Sequence, residues 1–469
     1  MTDKFFRRRF LIFSITVVSI VMFLQGCVPP EQANVTTTTN SSNTNTNSAP
    51  KAEIKPVETN QAVTLPVLNA LFADEAFAAE LKNQVQLTDD QIEKLRSAAQ
   101  ESVAGLDEDK DGESRSTRAA LKTSIEKVSE IIGQENSAKF FDFVKQRYSN
   151  AGEQPAQNQT GDPGKIPTDT RIVVNAPAYR MDLFQEGKLV KSYKVGIGYP
   201  EFPLPQGMRK ADTIIFNPTW TPPDEPWVKG KVKAGETVKA GDKLNPLGPI
   251  KIPIGLPSLI HGGKNPAKLG TFASHGCVGL TSPLIQEFSL ELAKLSGTEL
   301  TQEDVKNYEK QNTETKNFKL GSSIPVELRY ETIVVVDGKL MIYRDVYERG
   351  TNTEENLKSV FNAYGVSFDS LPQNQKDKIL KGLEEMAYNA QGEKVETNMS
   401  NSNSNMNTNS NSNSNSKSNS NSKTDKAENK NSNSGDGSVT RTLKGKKEVV
   451  FDIAELKGKG YPAPIKINK

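Results

Sequence analysis

Three segments of low complexity divide this chain into separate parts. Residues 28–62 are mostly Thr, Asn, Ser, Pro and Ala, residues 150–168 are rich in Gln, Pro and Gly, and residues 397–437 alternate Asn with Ser. Such segments bury too little apolar surface to offset the conformational entropy that folding removes. The chain of 469 residues is therefore expected to fold as several modules that are joined by disordered linkers.

The apolar periodicity predicts a different structure for each module. The predicted divisions are a signal segment at 1–26, a disordered tether at 27–65, a small all-α module at 66–150, a linker at 151–167, a mostly β domain at 168–345, a helical extension at 346–395, a disordered low-complexity segment at 396–439 and a C-terminal tail at 440–469. Thr88 and Gln91 form a capping-box pattern, and Gly133 is a typical helix end. Ser282-Pro283 predicts a helix start, and Asp337-Gly338 predicts a tight hairpin. The predicted fold class is multi-domain.

The first 27 residues resemble a bacterial lipoprotein signal. Residues 1–9 carry four basic side chains, residues 10–24 are apolar, and the segment ends at Leu24-Gln25-Gly26-Cys27. The apolar run is shorter than a membrane span requires. The resemblance implies export, cleavage before Cys27 and lipidation of its thiol, and an ordinary signal peptide is the alternative. We expect a protein anchored to a membrane by lipid at Cys27 and facing the cell wall, which in a Gram-negative cell means the outer membrane and periplasm.

The composition excludes several classes of function. A net charge of +2 gives no argument for a nucleic-acid partner. Two cysteines and two histidines are too few for a disulfide scaffold or a typical zinc cluster. Asp107-x-Asp109-x-Asp111-Gly112 matches the front half of a calcium loop, but its twelfth position is Arg118 instead of a glutamate. We therefore interpret it as a solvated acidic turn and predict no metal site.

Both histidines and the second cysteine fall within seventeen residues, at 261–277. They are His261, followed by two glycines, and His275 and Cys277 in the block Ser274-His275-Gly276-Cys277. An imidazole near a thiol lowers the thiol pKa and can act as its general base. A lone buried cysteine is more often a core residue, and a lone histidine is more often a satisfied polar group. Their clustering between glycines favours a catalytic site.

This cluster resembles the signature of the YkuD-type L,D-transpeptidases, which are bacterial enzymes that cross-link the cell wall. The segments Asn217-Pro218-x-Trp220 and Asn245-Pro246-Leu247-Gly248 also resemble parts of that family, and the resemblance covers roughly 168–345. It implies a mostly β catalytic domain, an L,D-transpeptidase-like β-sandwich with a helix after the nucleophile, that needs no cofactor. The helical module and both tails lie outside the resemblance.

The resemblance also implies roles for individual residues. Cys277 would be the nucleophile that forms a thioester, and His261 would be the base that activates it. The backbone at Gly262 would orient the histidine ring, and the N–H groups of Gly276 and Cys277 would form an oxyanion hole. The implied partners are peptidoglycan stem peptides. The donor is a tetrapeptide that is cut before its D-Ala, and the acceptor is an amine of a second stem.

One position departs from the family pattern. Ser274 and His275 would shape the nucleophile loop, but the family usually has Arg or Asn where this chain has Gly279. A contact to the substrate is therefore expected to be missing or replaced. The cationic residues that we consider as replacements are Lys264, Lys268 and Arg209.

The sequence leaves three functions open. The first is an L,D-transpeptidase that forms peptidoglycan cross-links or attaches another amine acceptor. The second is a non-catalytic lipoprotein that binds or tethers the wall, in which Gly279 marks lost activity. The third is a cysteine hydrolase of the L,D-carboxypeptidase type, which releases D-Ala without transfer. We predict the first.

Overall fold

The computed structural model describes residues 62–104, 116–150, 164–221, 236–390, 392–395 and 445–465. The signal segment with Cys27 and the acidic turn at 107–112 lie outside the described residues, as do most of the three low-complexity segments. Within the described ranges, no helix is both long enough and apolar enough to cross a membrane.

The N-terminal described residues form an all-α region. Its helices are α1 at Leu65–Leu71, α2 at Glu75–Glu80, α3 at Asp89–Ala104, α4 at Thr117–Ile132 and α5 at Gln134–Asn150, with a π-helical turn at Leu81–Val85. The predicted capping box is confirmed, since Gln91 N donates to Thr88 Oγ1 (3.2 Å) and Thr88 N donates to Gln91 Oε1 (3.0 Å). Gly133, at φ +81°, ends α4 as predicted. Buried Leu, Val and Phe side chains give this region its own core.

The central region is mostly β. Its strands are β1 at Arg171–Asn175, β2 at Arg180–Gln185, β3 at Lys188–Lys194, β4 at Ile197–Gly198, β5 at Gly207–Phe216, β6 at Ile250–Pro253, β7 at Leu259–His261, β8 at Phe272–Ser274, β9 at Val278–Gly279 and β10 at Lys316–Arg329. Among the described residues, eight of them pair in the order β3-β2-β1-β10-β5-β6-β7-β9. The short strands β4 and β8 pair separately.

The large sheet curls until its two edges meet. Gly196 follows the edge strand β3, and Gly279 lies in the opposite edge strand β9. The two glycines exchange both backbone hydrogen bonds, each of 2.9 Å. A cross-strand pair of glycines fits this junction because an added Cβ on Gly196 would lie 2.5 Å from the Cβ of Ala273. The closure buries an apolar interior and places β9 at the junction.

Two helices cover the sheet after β9. They are α6 at Ser282–Leu295 and α7 at Gln302–Lys310. The helix predicted at Ser282-Pro283 is present, but its N-cap is one residue earlier than expected. Thr281 Oγ1 accepts from Leu284 N (3.4 Å), so Ser282 and Pro283 occupy the first helical positions. The buried face of α6, including Ile285, packs on the strands that carry the site.

A smaller sheet follows the central one. Its strands are β11 at Ile333–Val336, β12 at Lys339–Tyr343 and β13 at Glu448–Asp452, and it packs on α8 at Glu354–Ala363 and α9 at Gln373–Met386. The predicted Asp337-Gly338 hairpin is confirmed, with positive φ at both residues (+50° and +74°). β13, which lies in the predicted C-terminal tail, pairs with β12. The strands β11 and β12 fall within 168–345 in sequence but belong to this second sheet. The predicted multi-domain fold, with a mostly β domain and a separate helical region, is confirmed.

Candidate active site

The pairing of β7 with β9 brings His261 and Cys277 together. The strands are parallel, with Ile260 opposite Val278 and His261 opposite Gly279. Cys277 is the residue just before β9, two positions before the Gly279 that pairs with His261. Neighbouring strands are about 4.8 Å apart. The pairing therefore brings the segment that carries Cys277 next to the strand of His261, at the closed edge of the sheet.

A backbone carbonyl fixes the orientation of the His261 ring. Nδ1 lies 2.8 Å from Gly262 O, and the side chain is buried with 3% exposure. A carbonyl only accepts, so Nδ1 carries the proton and donates it. Nε2 is then the basic nitrogen of the neutral ring. This contact is the one that the sequence resemblance implied for Gly262.

Ser274 holds the backbone of the nucleophile loop. Its Oγ donates to Cys277 O (2.6 Å) and accepts from Cys277 N (3.0 Å), and Ser274 is 4% exposed. Gly276 has φ +93°, a conformation that side chains other than glycine rarely adopt. The sequence resemblance implies that the N–H of Cys277 is an oxyanion donor. In this structure that N–H donates to Ser274 Oγ. The turn presents Cys277, which keeps partial exposure.

Opposing effects act on the Cys277 thiol. Burial raises the pKa of Cys277, whereas a backbone hydrogen bond from Leu259 and the charges of Lys264 and Lys251 lower it, and the net direction is upward. A thiol with a raised pKa is largely protonated at neutral pH. Attack by this cysteine therefore requires a base that removes the proton, and His261 ends the neighbouring strand β7.

His275, in the nucleophile loop, contacts two aromatic side chains. Its ring makes edge-to-face contacts with Tyr199 and Phe202, at centroid distances of 5.1 and 4.9 Å. Both aromatic residues belong to the loop 199–204, which is buried throughout. His275 therefore packs against the loop 199–204, and its supporting role stays a prediction.

The space beside Gly279 is taken by Lys264. An added Cβ on Gly279 would lie 2.8 Å from Cγ, 3.1 Å from Cε and 3.4 Å from Cδ of that lysine. Of the other two candidates, Arg209 donates to the carbonyls of Ile254 (3.2 Å) and Gly255 (2.7 Å). Lys268 is buried and ends a 3₁₀ turn at Pro266–Lys268. Of the three candidates, Lys264 is therefore the one whose side chain occupies the space beside Gly279.

The two asparagine motifs support the histidine strand. Asn217 N donates to Pro249 O (2.7 Å), just before β6, and Asn245 Nδ2 donates to Pro218 O (2.7 Å). An added Cβ on Gly248 would lie 2.4 Å from Gly263 N, so this glycine allows the segment to pack on the backbone next to His261. These motifs therefore position β7 and need not contact the substrate.

Sequence reasoning missed two parts of the site. Lys251 pairs with His261 across β6 and β7 and so shares its face of the sheet. Its signal was a lysine between isoleucines in an apolar strand at 250–254. The loop 199–204 was also missed, although its two prolines at 200 and 203 mark it as irregular. Within the described residues, no group of three or more His, Cys, Asp or Glu side chains could hold a metal ion.

Comparison with known proteins identifies the central domain. Residues 169–294 match the YkuD family model, the L,D-transpeptidase catalytic domain. This interval holds the sheet from β1 to β9 and most of α6, with every site residue described above. The predicted resemblance is thus confirmed for the catalytic domain, and no curated protein matches the chain.

Several solved structures are similar to about a third of the chain. The avibactam carbamoyl enzyme of Ldtfm is 18% identical, with 34% of this chain and 49% of that chain covered and a TM-score of 0.22. The catalytic domain from E. faecium L,D-transpeptidase is 16% identical, with 35% and 100% covered and a TM-score of 0.23. L,D-transpeptidase from Mycobacterium smegmatis is 14% identical, with 34% and 58% covered and a TM-score of 0.21. The chain thus spans about half of the length of the first of these.

Proposed function

We propose that this protein is a peptidoglycan L,D-transpeptidase that works through a thioester on Cys277. The observation that supports the proposal is the pairing of β7 with β9, which brings the segment of Cys277 next to the strand of His261, together with the 2.8 Å contact from His261 Nδ1 to Gly262 O. That contact leaves Nε2 as the base, and the raised pKa of the Cys277 thiol makes a base necessary. The match of 169–294 to the L,D-transpeptidase catalytic domain supports the substrate class.

The proposed reaction has two acyl transfers. Nε2 of His261 takes the proton of Cys277 as sulfur attacks the carbonyl of the third residue of a donor tetrapeptide. The C–N bond then breaks, the proton passes to the nitrogen, and D-Ala leaves as a free amine. An amine of a second stem attacks the thioester, loses a proton to His261 and releases the thiol. The balance needs no oxidant, reductant or cofactor.

The oxyanion of each tetrahedral intermediate needs N–H donors at the nucleophile loop. The N–H of Cys277 donates to Ser274 Oγ at 3.0 Å in the resting structure. We infer that Gly276 N–H is the first donor and that Cys277 N–H joins it if the loop shifts during acylation. The positive φ of Gly276 permits this turn of the backbone.

The experiment that tests the function is incubation of the protein with stem tetrapeptides that carry an acceptor amine. The expected products are cross-linked dimers and free D-Ala in equal amounts, read by mass spectrometry. Release of D-Ala without dimers would show a carboxypeptidase instead. No product, with Cys277 unmodified, would favour a non-catalytic tether. A Cys277→Ala variant is the control and is expected to yield neither product.

We also propose that the protein is exported and held on a membrane by lipid at Cys27. The support is the order of the first segments, in which a basic stretch is followed by an apolar run that ends at Leu24-Gln25-Gly26-Cys27. The proposed substrate, peptidoglycan, also lies outside the cytoplasm. Metabolic labelling with a fatty-acid analogue is expected to label the wild-type protein and not a Cys27→Ala variant. Equal labelling of both would contradict the anchor.

A further inference from the structure

Two lysines flank His261 on one face of the sheet. Lys251 lies opposite His261 in register, and His261 lies opposite Gly279, which Lys264 covers. The order across the sheet is therefore Lys251, His261 and then Gly279 under Lys264. Both lysine charges act on Cys277 and favour its thiolate form.

Both lysine side chains lie in a largely buried part of the site. Lys264 is 8% exposed, and burial lowers the pKa of Lys251. Two cations near one reaction centre repel each other, and each loses hydration. A carboxylate between them would attract both ammonium groups and accept their hydrogen bonds. The donor class proposed above carries carboxylates near the bond that is cut.

We propose that Lys251 and Lys264 form a carboxylate-binding subsite for the donor stem peptide. This inference rests on the proposed function and names what the site selects. Lys264 supplies, from the loop after β7, the contact that Gly279 cannot make. The site therefore takes donors with a free carboxylate at this subsite in preference to donors in which that carboxylate is amidated.

Binding and turnover are measured separately. Calorimetry on the Cys277→Ala protein compares a free-acid tetrapeptide with peptides in which each carboxylate is amidated in turn. Lys251→Met and Lys264→Met, made on that background, are expected to weaken binding of the free acid about tenfold each. One amidated peptide should bind these variants as well as it binds the parent protein, because it lacks the carboxylate that the lysines contact. That peptide identifies the carboxylate. Lys294→Met, on an exposed position of α6, is the matched control and is expected to have no effect.

The outcomes separate this proposal from the proposed function. Equal losses for free and amidated peptides, or no loss for either, would overturn the subsite. In that case the lysines act on the thiol of Cys277. The pH profile of its alkylation rate with iodoacetamide would then shift to higher pH in both variants. Selective binding without any turnover by the wild-type protein would support the subsite and refute the transpeptidase.

A second inference rests on independent contacts between the helical region and the loop 199–204. Pro200 and Pro203 cannot donate backbone hydrogen bonds, and the loop is buried, so its carbonyl groups need donors. The helical region supplies three hydroxyl groups. Thr64 donates to Glu201 O (2.6 Å), Thr117 donates to Pro200 O (2.7 Å), and Tyr148 donates to Pro203 O.

The same loop also contacts the nucleophile loop, which is the turn at residues 274–277. Tyr199 N donates to Ser274 O (2.8 Å), and the rings of Tyr199 and Phe202 pack on His275. An added Cβ on Gly198 would lie 3.2 Å from Gly276 N, so the two loops are in close backbone contact. A continuous set of contacts thus runs from α4 and α5 through 199–204 to the turn that presents Cys277.

The geometry points to a positioning role for the helical region. Thr117 and Tyr148 fix the loop 199–204, which in turn fixes the backbone of 274–277. Thr117 is suited to a test because Ser116, and not Thr117, is the N-cap of α4. Its hydroxyl can therefore be removed without loss of the cap.

The test uses the full chain with the double substitution Thr117→Val and Tyr148→Phe. Acylation of Cys277 by a carbapenem is expected to slow about tenfold, and hydrogen exchange of the amides at 274–277 is expected to accelerate. Thr117→Ser alone should keep wild-type values for both. The matched control Thr301→Val removes a threonine cap at α7, away from the site, and should change neither. Unchanged exchange and unchanged acylation in the double variant, with only a lower unfolding temperature, would overturn the proposal.

Discussion

Removal of the Ser274 hydroxyl tests how the nucleophile loop is held. Ser274 Oγ accepts from Cys277 N (3.0 Å) and donates to Cys277 O (2.6 Å), so Ser274→Ala deletes both hydrogen bonds of one hydroxyl. Each bond stabilises the folded loop by about 1 kcal/mol net. The turn at 274–277 is then expected to lose about 2 kcal/mol, which corresponds to about a 30-fold shift in its equilibrium between ordered and disordered forms.

The assay is the second-order rate constant for acylation of Cys277 by a carbapenem, followed by intact mass. If the ordered turn is the reactive form and is only marginally favoured in the wild type, this 30-fold shift lowers its population, and with it the acylation rate of Ser274→Ala, by about tenfold. Ser289→Ala removes a similarly buried hydroxyl, whose Oγ donates to Gln286 O (2.7 Å) in α6, and serves as the control. Equal acylation rates in the wild type and Ser274→Ala, with equal losses of stability in both variants, would refute the reasoning.

Three further predictions concern the site and the fold. Gly276→Ala, at φ +93°, is expected to cost about 1–2 kcal/mol of stability in thermal unfolding and to slow acylation of Cys277. Burial opposes ionisation of Glu327, but hydrogen bonds from Arg329 and Arg171 lower its pKa below 4.5 overall. Its contribution to stability is therefore complete above pH 4.5 and lost as pH falls through the lower folded pKa, and a Glu327→Gln variant should show a flatter acid limb. Arg147→Met, which removes the bridge from α5 to Asp74 and Glu80, should destabilise the helical region by about 1–3 kcal/mol in urea unfolding.

The sequence predicted those features that depend on local chemistry. The capping box at Thr88 and Gln91, the helix end at Gly133 and the hairpin at Asp337-Gly338 are set by residues within a few positions of one another, and all three are confirmed. The cluster of His261 and Cys277 was also local in sequence. These patterns need no knowledge of how distant segments pack.

Features that depend on distant pairing were not predictable in this way. Lys251 lies next to His261 because β6 and β7 are neighbours in the sheet. Gly196 and Gly279 meet because the sheet curls until its edges touch. The pairing of β13 with β12 spans more than a hundred residues. Even local patterns place a helix start only to within about one residue. The N-cap of α6 is Thr281 and not Ser282, because Thr281, Ser282 and Pro283 are all compatible with a helix start.

The identity of the acylated atom tests the central claim most directly. The protein is incubated with a stem tetrapeptide without acceptor, quenched in acid and digested, and the peptides are sequenced by mass spectrometry. The account predicts a tripeptidyl adduct on Cys277, with loss of D-Ala from the donor, and no adduct in His261→Ala on the same time scale. An adduct on a different residue, or release of D-Ala while Cys277 is replaced by alanine, would contradict it.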